Sequence, residues 1–142
     1  MKIIQPKKPQ FFKNPQLNKI FKSTNTLLVY IFGSQVAGDA TRESDVDVAV
    51  LLEKNLSDAK RFNIRLGLMD KLSRVFKKNV DVIVLNDTAS IFFKYVIITE
   101  GQNIYEKSEG QRGAYESGIM GRYFDFQPFL DLYNKRYVQN NI

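Results

Sequence analysis

Residues 27–52 read LLVYIFGSQVAGDATRESDVDVAVLL. The apolar run from Leu27 to Phe32 is rich in β-branched and aromatic residues and is ended by Gly33, which predicts a buried strand. A polar turn follows. A second strand is expected from Asp45 to Leu52, with Asp45, Asp47 and Ala49 on one face and Val46, Val48 and Val50 on the other. Two strands joined this way need further strands and helices to bury them. Upstream, Asn14 can cap and Pro15 can open a short helix to about Ser23, with Leu17, Ile20 and Phe21 on one side. Residues 1–13, with Pro6 and Pro9, read as an extended lead-in. Downstream, Ser57 or Asp58 can cap a helix whose apolar stripe is Ala59, Phe62, Leu66, Met69, Leu72 and Phe76. A third strand is expected over 79–85. Thr88 to Glu100 predicts a helix with Ile91, Phe92, Tyr95 and Ile98 inward and Gly101 as a left-handed stop. Residues 103–106 suit an edge strand, and a helical segment runs from Ser108 with a break at Pro128. The order predicts an α+β (α/β-like) domain, a small mixed sheet with helices packed on one side and a helical C-terminal segment.

Composition narrows the chemistry. The chain has 142 residues, no Cys and no His. One domain of this size holds a core without disulfides or structural metal. Zinc fingers, Cys or His nucleophiles and Ser-His-Asp triads are excluded, so catalysis must rest on carboxylates, hydroxyls and bases. The lack of Cys suits a reducing cytoplasm. No apolar run approaches the roughly 20 residues of a membrane helix, and Gln5 to Pro9 interrupts any signal core, so the chain is read as mature throughout. Lys and Arg number 21 against 15 Asp and Glu, a net charge of +6. They are spread along the chain without a dense block, which argues against a nucleic-acid arm and leaves a positive surface suited to a nucleotide triphosphate or a charged protein partner.

The chemistry concentrates at Gly33-Ser34 and at Asp45-Val46-Asp47. Gly33, without a Cβ, lets backbone N–H groups approach a phosphate, and the Ser34 hydroxyl adds a donor. Asp45 and Asp47 stand at i and i+2, on one face of a strand. Two carboxylates about 4 Å apart repel by roughly 4 kcal/mol at an effective dielectric near 20, a cost that a divalent cation removes. Mg²⁺ takes oxygen ligands and is commonly held by one or two carboxylates with substrate phosphates, and two such ions stabilise both oxygens of an in-line phosphoryl or nucleotidyl transfer. Asp81, flanked by Val80 and Val82, joins this face if the third strand lies beside the second, as a third ligand that helps activate an acceptor hydroxyl. The plainer alternatives are a solvated strand entrance for the pair and a backbone-bonded carboxylate for Asp81.

Gly33-Ser34, ten residues, then Asp45-x-Asp47, with Gly38 and Asp39 in the loop and Asp81 on a later strand, resembles the minimal nucleotidyltransferase branch of the DNA polymerase β superfamily. The resemblance covers residues 27–85. It implies a nucleotidyltransferase fold, ATP as substrate with two Mg²⁺, Gly33 and Ser34 at the triphosphate, and Asp45, Asp47 and Asp81 as catalytic metal ligands, Asp45 and Asp47 also touching the nucleotide. Many relatives carry Arg just before the loop glycine. Here Ala37 precedes Gly38, Gln35 follows Ser34, and Arg42 is the nearby substitute.

Small members of the family are often antitoxins paired with HEPN-domain toxins, and some transfer AMP to a toxin tyrosine. The resemblance therefore implies a cytoplasmic antitoxin that adenylylates a cognate HEPN-type toxin ribonuclease. Residues 1–107 would form the nucleotidyltransferase core and 108–142 a helical extension within a single domain. Tyr115, Tyr123, Phe124, Phe126, Phe129, Leu132, Tyr133 and Tyr137 would dock the partner or cover the sheet. A small-molecule hydroxyl as acceptor, and a non-catalytic antitoxin that acts by steric cover, are the competing readings.

Overall fold

The computed structural model describes residues 14–33 and 45–140, with side chains to 136. The expected lead-in, the loop residues 34–44 and the side chain of Tyr137 lie outside the described residues. Helix α1 (Pro15–Lys22) starts as expected, with the Asn14 side chain accepting from the Gln16 N–H and Pro15 in the first turn. Strands β1 (Thr26–Phe32) and β2 (Val46–Leu52) follow, then α2 (Asp58–Phe76), β3 (Val80–Val84), a 3₁₀ turn (Leu85–Asp87), α3 (Ile91–Glu100), β4 (Gln102–Glu106) and α4 (Gln111–Asn140). The sheet order is β3-β2-β1-β4. β2 is antiparallel to β1 and parallel to β3, and β4 is an antiparallel edge strand beside β1. This is the small mixed sheet with a helical C-terminal segment that the sequence predicts.

The helices, however, cover both faces rather than one. α1 and α2 pack Leu17, Phe21, Leu68, Leu72 and Phe76 on Val29, Ile31, Val48 and Val82. α3 and α4 pack Ile97, Ile98 and Ile119 on Leu28, Tyr30 and Ala49 of the other face. The unbroken apolar run of β1 has this cause: a strand covered on both sides does not alternate.

Three further expectations are corrected. The inward stripe of α2 is Ile64, Leu68, Leu72, Val75 and Phe76, with Met69 beside it, whereas Ala59, Phe62 and Leu66 are exposed. Two apolar series interleave on this helix, and the one lying over the β3 valines is buried. α3 begins at Ile91 with Ser90 as cap, Phe92 is exposed, and Gly101 is extended, at φ −77° and ψ 175°, rather than left-handed. Gly101 is needed for closeness instead, since a Cβ there would collide with the Ile97 carbonyl oxygen. α4 runs through Pro128 without the expected break.

β3 is an edge strand, and α2 covers its outward backbone groups with side chains. Ser73 Oγ accepts from the Val80 N–H (3.2 Å), Arg65 Nε donates to the Val82 carbonyl (2.7 Å), and Thr88 Oγ1, from just beyond the strand, donates to that of Val84 (3.2 Å). An edge satisfied in this way is a poor template for strand addition.

Candidate active site

β1 ends and β2 begins at the same end of the sheet, so Phe32 and Asp47 are ladder partners. The parallel register of β2 and β3 then sets Asp47 directly beside Asp81, because lateral neighbours in a sheet share a face. Asp45 precedes β2 at this end and is exposed, Asp47 is half-buried and Asp81 is exposed. The structure thus brings Asp47 and Asp81 together and keeps Asp45 close enough to act on Asp47 electrostatically. Burial first, then the charges of Asp81 and Asp45, push the Asp47 carboxyl above the usual carboxylate range.

Gly33 closes one side of this corner. Its φ is +80°, and a Cβ there would lie 2.5 Å from Asp47 Oδ2. Both the left-handed backbone and the carboxylate behind it call for glycine. Ser34, the other phosphate-loop residue expected from the sequence, lies outside the described residues, as do Gln35, Ala37, Gly38, Asp39 and Arg42.

Arg65 was not expected at the site. It reaches round the β3 edge from α2, with Nη2 3.7 Å from Asp81 Oδ1 while its Nε holds the Val82 carbonyl. Among the described residues no three acidic groups are gathered around one point. The donor set still fits a hard divalent cation: all oxygen, three carboxylates at one sheet end, and the central one raised by repulsion that a cation relieves. Arg65 supplies part of that positive charge at Asp81. Its signal in the sequence was no more than an Arg on a helix face, indistinguishable from a solvated one.

The sign of the Asp47 shift makes a stability prediction. A carboxyl whose pKa is raised on folding costs nothing while protonated in both states and destabilises the fold as pH rises through the unfolded and then the folded pKa. Asp47→Asn should therefore leave the melting temperature unchanged near pH 3 and raise it at pH 8. Equal melting temperatures of variant and parent across that range would show that the carboxylate is not strained.

Comparison with known proteins bears on the family and the fold. Residues 15–110 match the family described as Polymerase beta, Nucleotidyltransferase. Protein adenylyltransferase MntA of Shewanella oneidensis is 31% identical over 78 residues, 55% of this chain and 52% of that protein. The match thus spans about half the length of that curated relative. A crystal structure of a toxin–antitoxin with AMP-PNP is similar with a TM-score of 0.64 and 21% identity, over 88% of this chain and 94% of the other. A structure of tri-AMPylated Shewanella oneidensis HEPN toxin in complex with MNT antitoxin is similar with a TM-score of 0.61 and 20% identity, over 92% and 96%. At such identities the likeness is one of fold.

Proposed function

Because this chain belongs to the polymerase β nucleotidyltransferase family, we propose that it is an antitoxin that transfers AMP from ATP to a tyrosine hydroxyl of a cognate HEPN-type toxin. The observation that carries the reading is the lateral pairing of Asp47 with Asp81, with Asp45 beside them. The likeness to the protein adenylyltransferase MntA supports AMP and a protein acceptor. ATP as substrate also suits the cytoplasm. No helix among the described residues is long and apolar enough to cross a membrane.

Asp45, Asp47 and Asp81 would hold two Mg²⁺ ions, which supply charge neutralisation at the phosphates when bound. Gly33, which lies against Asp47, would receive the nucleotide together with Ser34. In the transfer the phenolic oxygen bonds to the α-phosphorus, the bond from that phosphorus to the bridging oxygen breaks, and pyrophosphate leaves with the electron pair. The phenol proton passes to the exposed Asp81 carboxylate and on to water.

Residues 1–107 carry this chemistry and 108–142 form the extension that meets the partner. The first half of α4 serves the core, through Tyr115, Ile119 and Met120. In the second half Phe124, Phe126, Phe129, Leu132 and Tyr133 are 45–68% exposed, an apolar strip of the kind that protein interfaces bury. Co-expression with a cognate HEPN-type toxin should yield a complex in which mass spectrometry finds an adenylate increment on a toxin tyrosine. Phe129→Glu is expected to weaken that complex at least about tenfold, the effect of losing one buried aromatic anchor. An unmodified toxin recovered from the active pair would refute adenylylation, and full affinity in Phe129→Glu would remove α4 from the interface.

A further inference from the structure

Ala59, Phe62 and Leu66 recur at spacings of three and four, along one side of α2. The fold leaves all three outside the core, Phe62 at 54% and Leu66 at 46% exposed. Beside them a groove of about 680 Å³ runs between α2 and the β3 edge, with Ala59 and Phe62 on the helix side and Val82 and Val84 on the strand side. Arg61 and Arg65 mark its length. Arg61 stands at the end away from the acidic corner, where its Nε donates to Asp87 (2.9 Å) and its Nη2 meets Asp58. Arg65, one turn further along α2, donates to the Val82 carbonyl (2.7 Å) and extends Nη2 to 3.7 Å from Asp81. One wall of the groove is therefore continuous with Asp81, the acid that takes the phenol proton in the transfer.

The chemistry of the groove restricts its occupant. Its size suits a few side chains, and its exposed aromatic and aliphatic walls gain from being covered. Each of its cations already holds acid, Arg61 two carboxylates and Arg65 one, so no spare positive charge is left for a phosphodiester chain. The outward backbone groups of β3 are met by Ser73, Arg65 and Thr88, so an incoming chain does not pair as a strand and is held through its side chains. From the groove and its continuity with Asp81 we infer that it seats an apolar side chain of the acceptor protein, on the stretch of chain that carries the tyrosine to be modified. This rests on the reading of the protein as an adenylyltransferase and adds how the acceptor is chosen: an anchor in the groove fixes which hydroxyl reaches Asp81. α2 and α4 cover opposite faces of the sheet, so the contact is separate from the exposed strip on α4.

The test uses the whole chain with a cognate HEPN-type toxin as the probe. Phe62→Gln with Leu66→Gln should lower kcat/KM for adenylylation of the toxin by at least about tenfold, the effect of losing an apolar anchor. The loss should lie in KM for the toxin, with kcat at saturating toxin and the calorimetric affinity for ATP kept at the parent's level. Ala59→Glu, at an exposed lining position where the first turn of α2 favours an acid, should raise the same KM and so guards against a folding defect in the double variant. With Phe62→p-benzoylphenylalanine, irradiation should join this chain to the proteolytic peptide of the toxin that carries the modified tyrosine. An unchanged KM in both variants, a loss of ATP affinity, a crosslink to another part of the toxin or to a second copy of this chain, or competition by a short single-stranded RNA would each overturn the groove as the acceptor's seat. If both variants lose affinity for the toxin without ATP, yet no acceptor ever receives adenylate, the groove stands as the partner's docking surface and the transferase reading falls.

Discussion

Asp45→Asn combined with Asp47→Asn is expected to lower transfer of radiolabelled adenylate from ATP to the co-expressed toxin by about 10³-fold or more, while the protein folds and melts at least as high as the parent. The loss follows from charge: the amides keep the size of the carboxylates but no longer attract a divalent cation, whose neutralisation of phosphate charge contributes several kcal/mol to the transition state. The gain in stability follows from the same charges, since Asp47 is strained by burial and by both neighbouring carboxylates. An inactive variant is thus separated from an unfolded one by a melting curve. Residual transfer within about tenfold of the parent would remove these residues from catalysis. Cell growth under toxin induction adds a second readout. If modification is how the toxin is neutralised, rescue disappears with transfer. A variant that transfers nothing yet still rescues growth would instead identify an antitoxin acting by steric cover.

The acidic corner was legible because sheets have a period of two. Asp45 and Asp47 on one strand and Asp81 between valines on another declare their face without reference to the rest of the chain, and the parallel register then placed Asp81 beside Asp47. Local end signals were legible for the same reason: Asn14 and Pro15 open α1 through atoms two residues apart. What depended on distant partners was not. α2 offers two apolar series, and the β3 edge beneath it decides between them. Gly101 follows a helix in the manner of a left-handed stop, but the nearby Ile97 and Ile31 carbonyls make it a point of close approach. Pro128 lies within a helix that continues past it, and the period of α4 says nothing about that. Arg65 was unreadable as a neighbour of the site because a cation on a helix face carries no mark of what it faces. Arg65 acquires meaning only from the Asp81 carboxylate at 3.7 Å.

Gly33→Ala should be the most damaging single-methyl change at the site. The backbone there has φ +80°, where an L side chain is strained by roughly 1–2 kcal/mol, and the new Cβ would lie 2.5 Å from Asp47 Oδ2 and 3.4 Å from its Cγ. Relief requires the carboxylate to turn or β1 and β2 to separate at the Phe32–Asp47 pair, and either movement displaces the central acid of the corner. A displacement near 1 Å at reacting groups costs about 10²-fold in rate. Gly33→Ala is therefore expected to lower transfer by about that factor and the melting temperature by about 4–8 °C. The two causes separate in a double-mutant cycle. In an Asp47→Ala background the obstructing carboxylate is absent, so adding Gly33→Ala should cost only the backbone strain, and the difference between the two costs measures the clash. If Gly33→Ala destabilised both backgrounds equally, the glycine would serve the turn alone, and Asp47 would owe its position to β2.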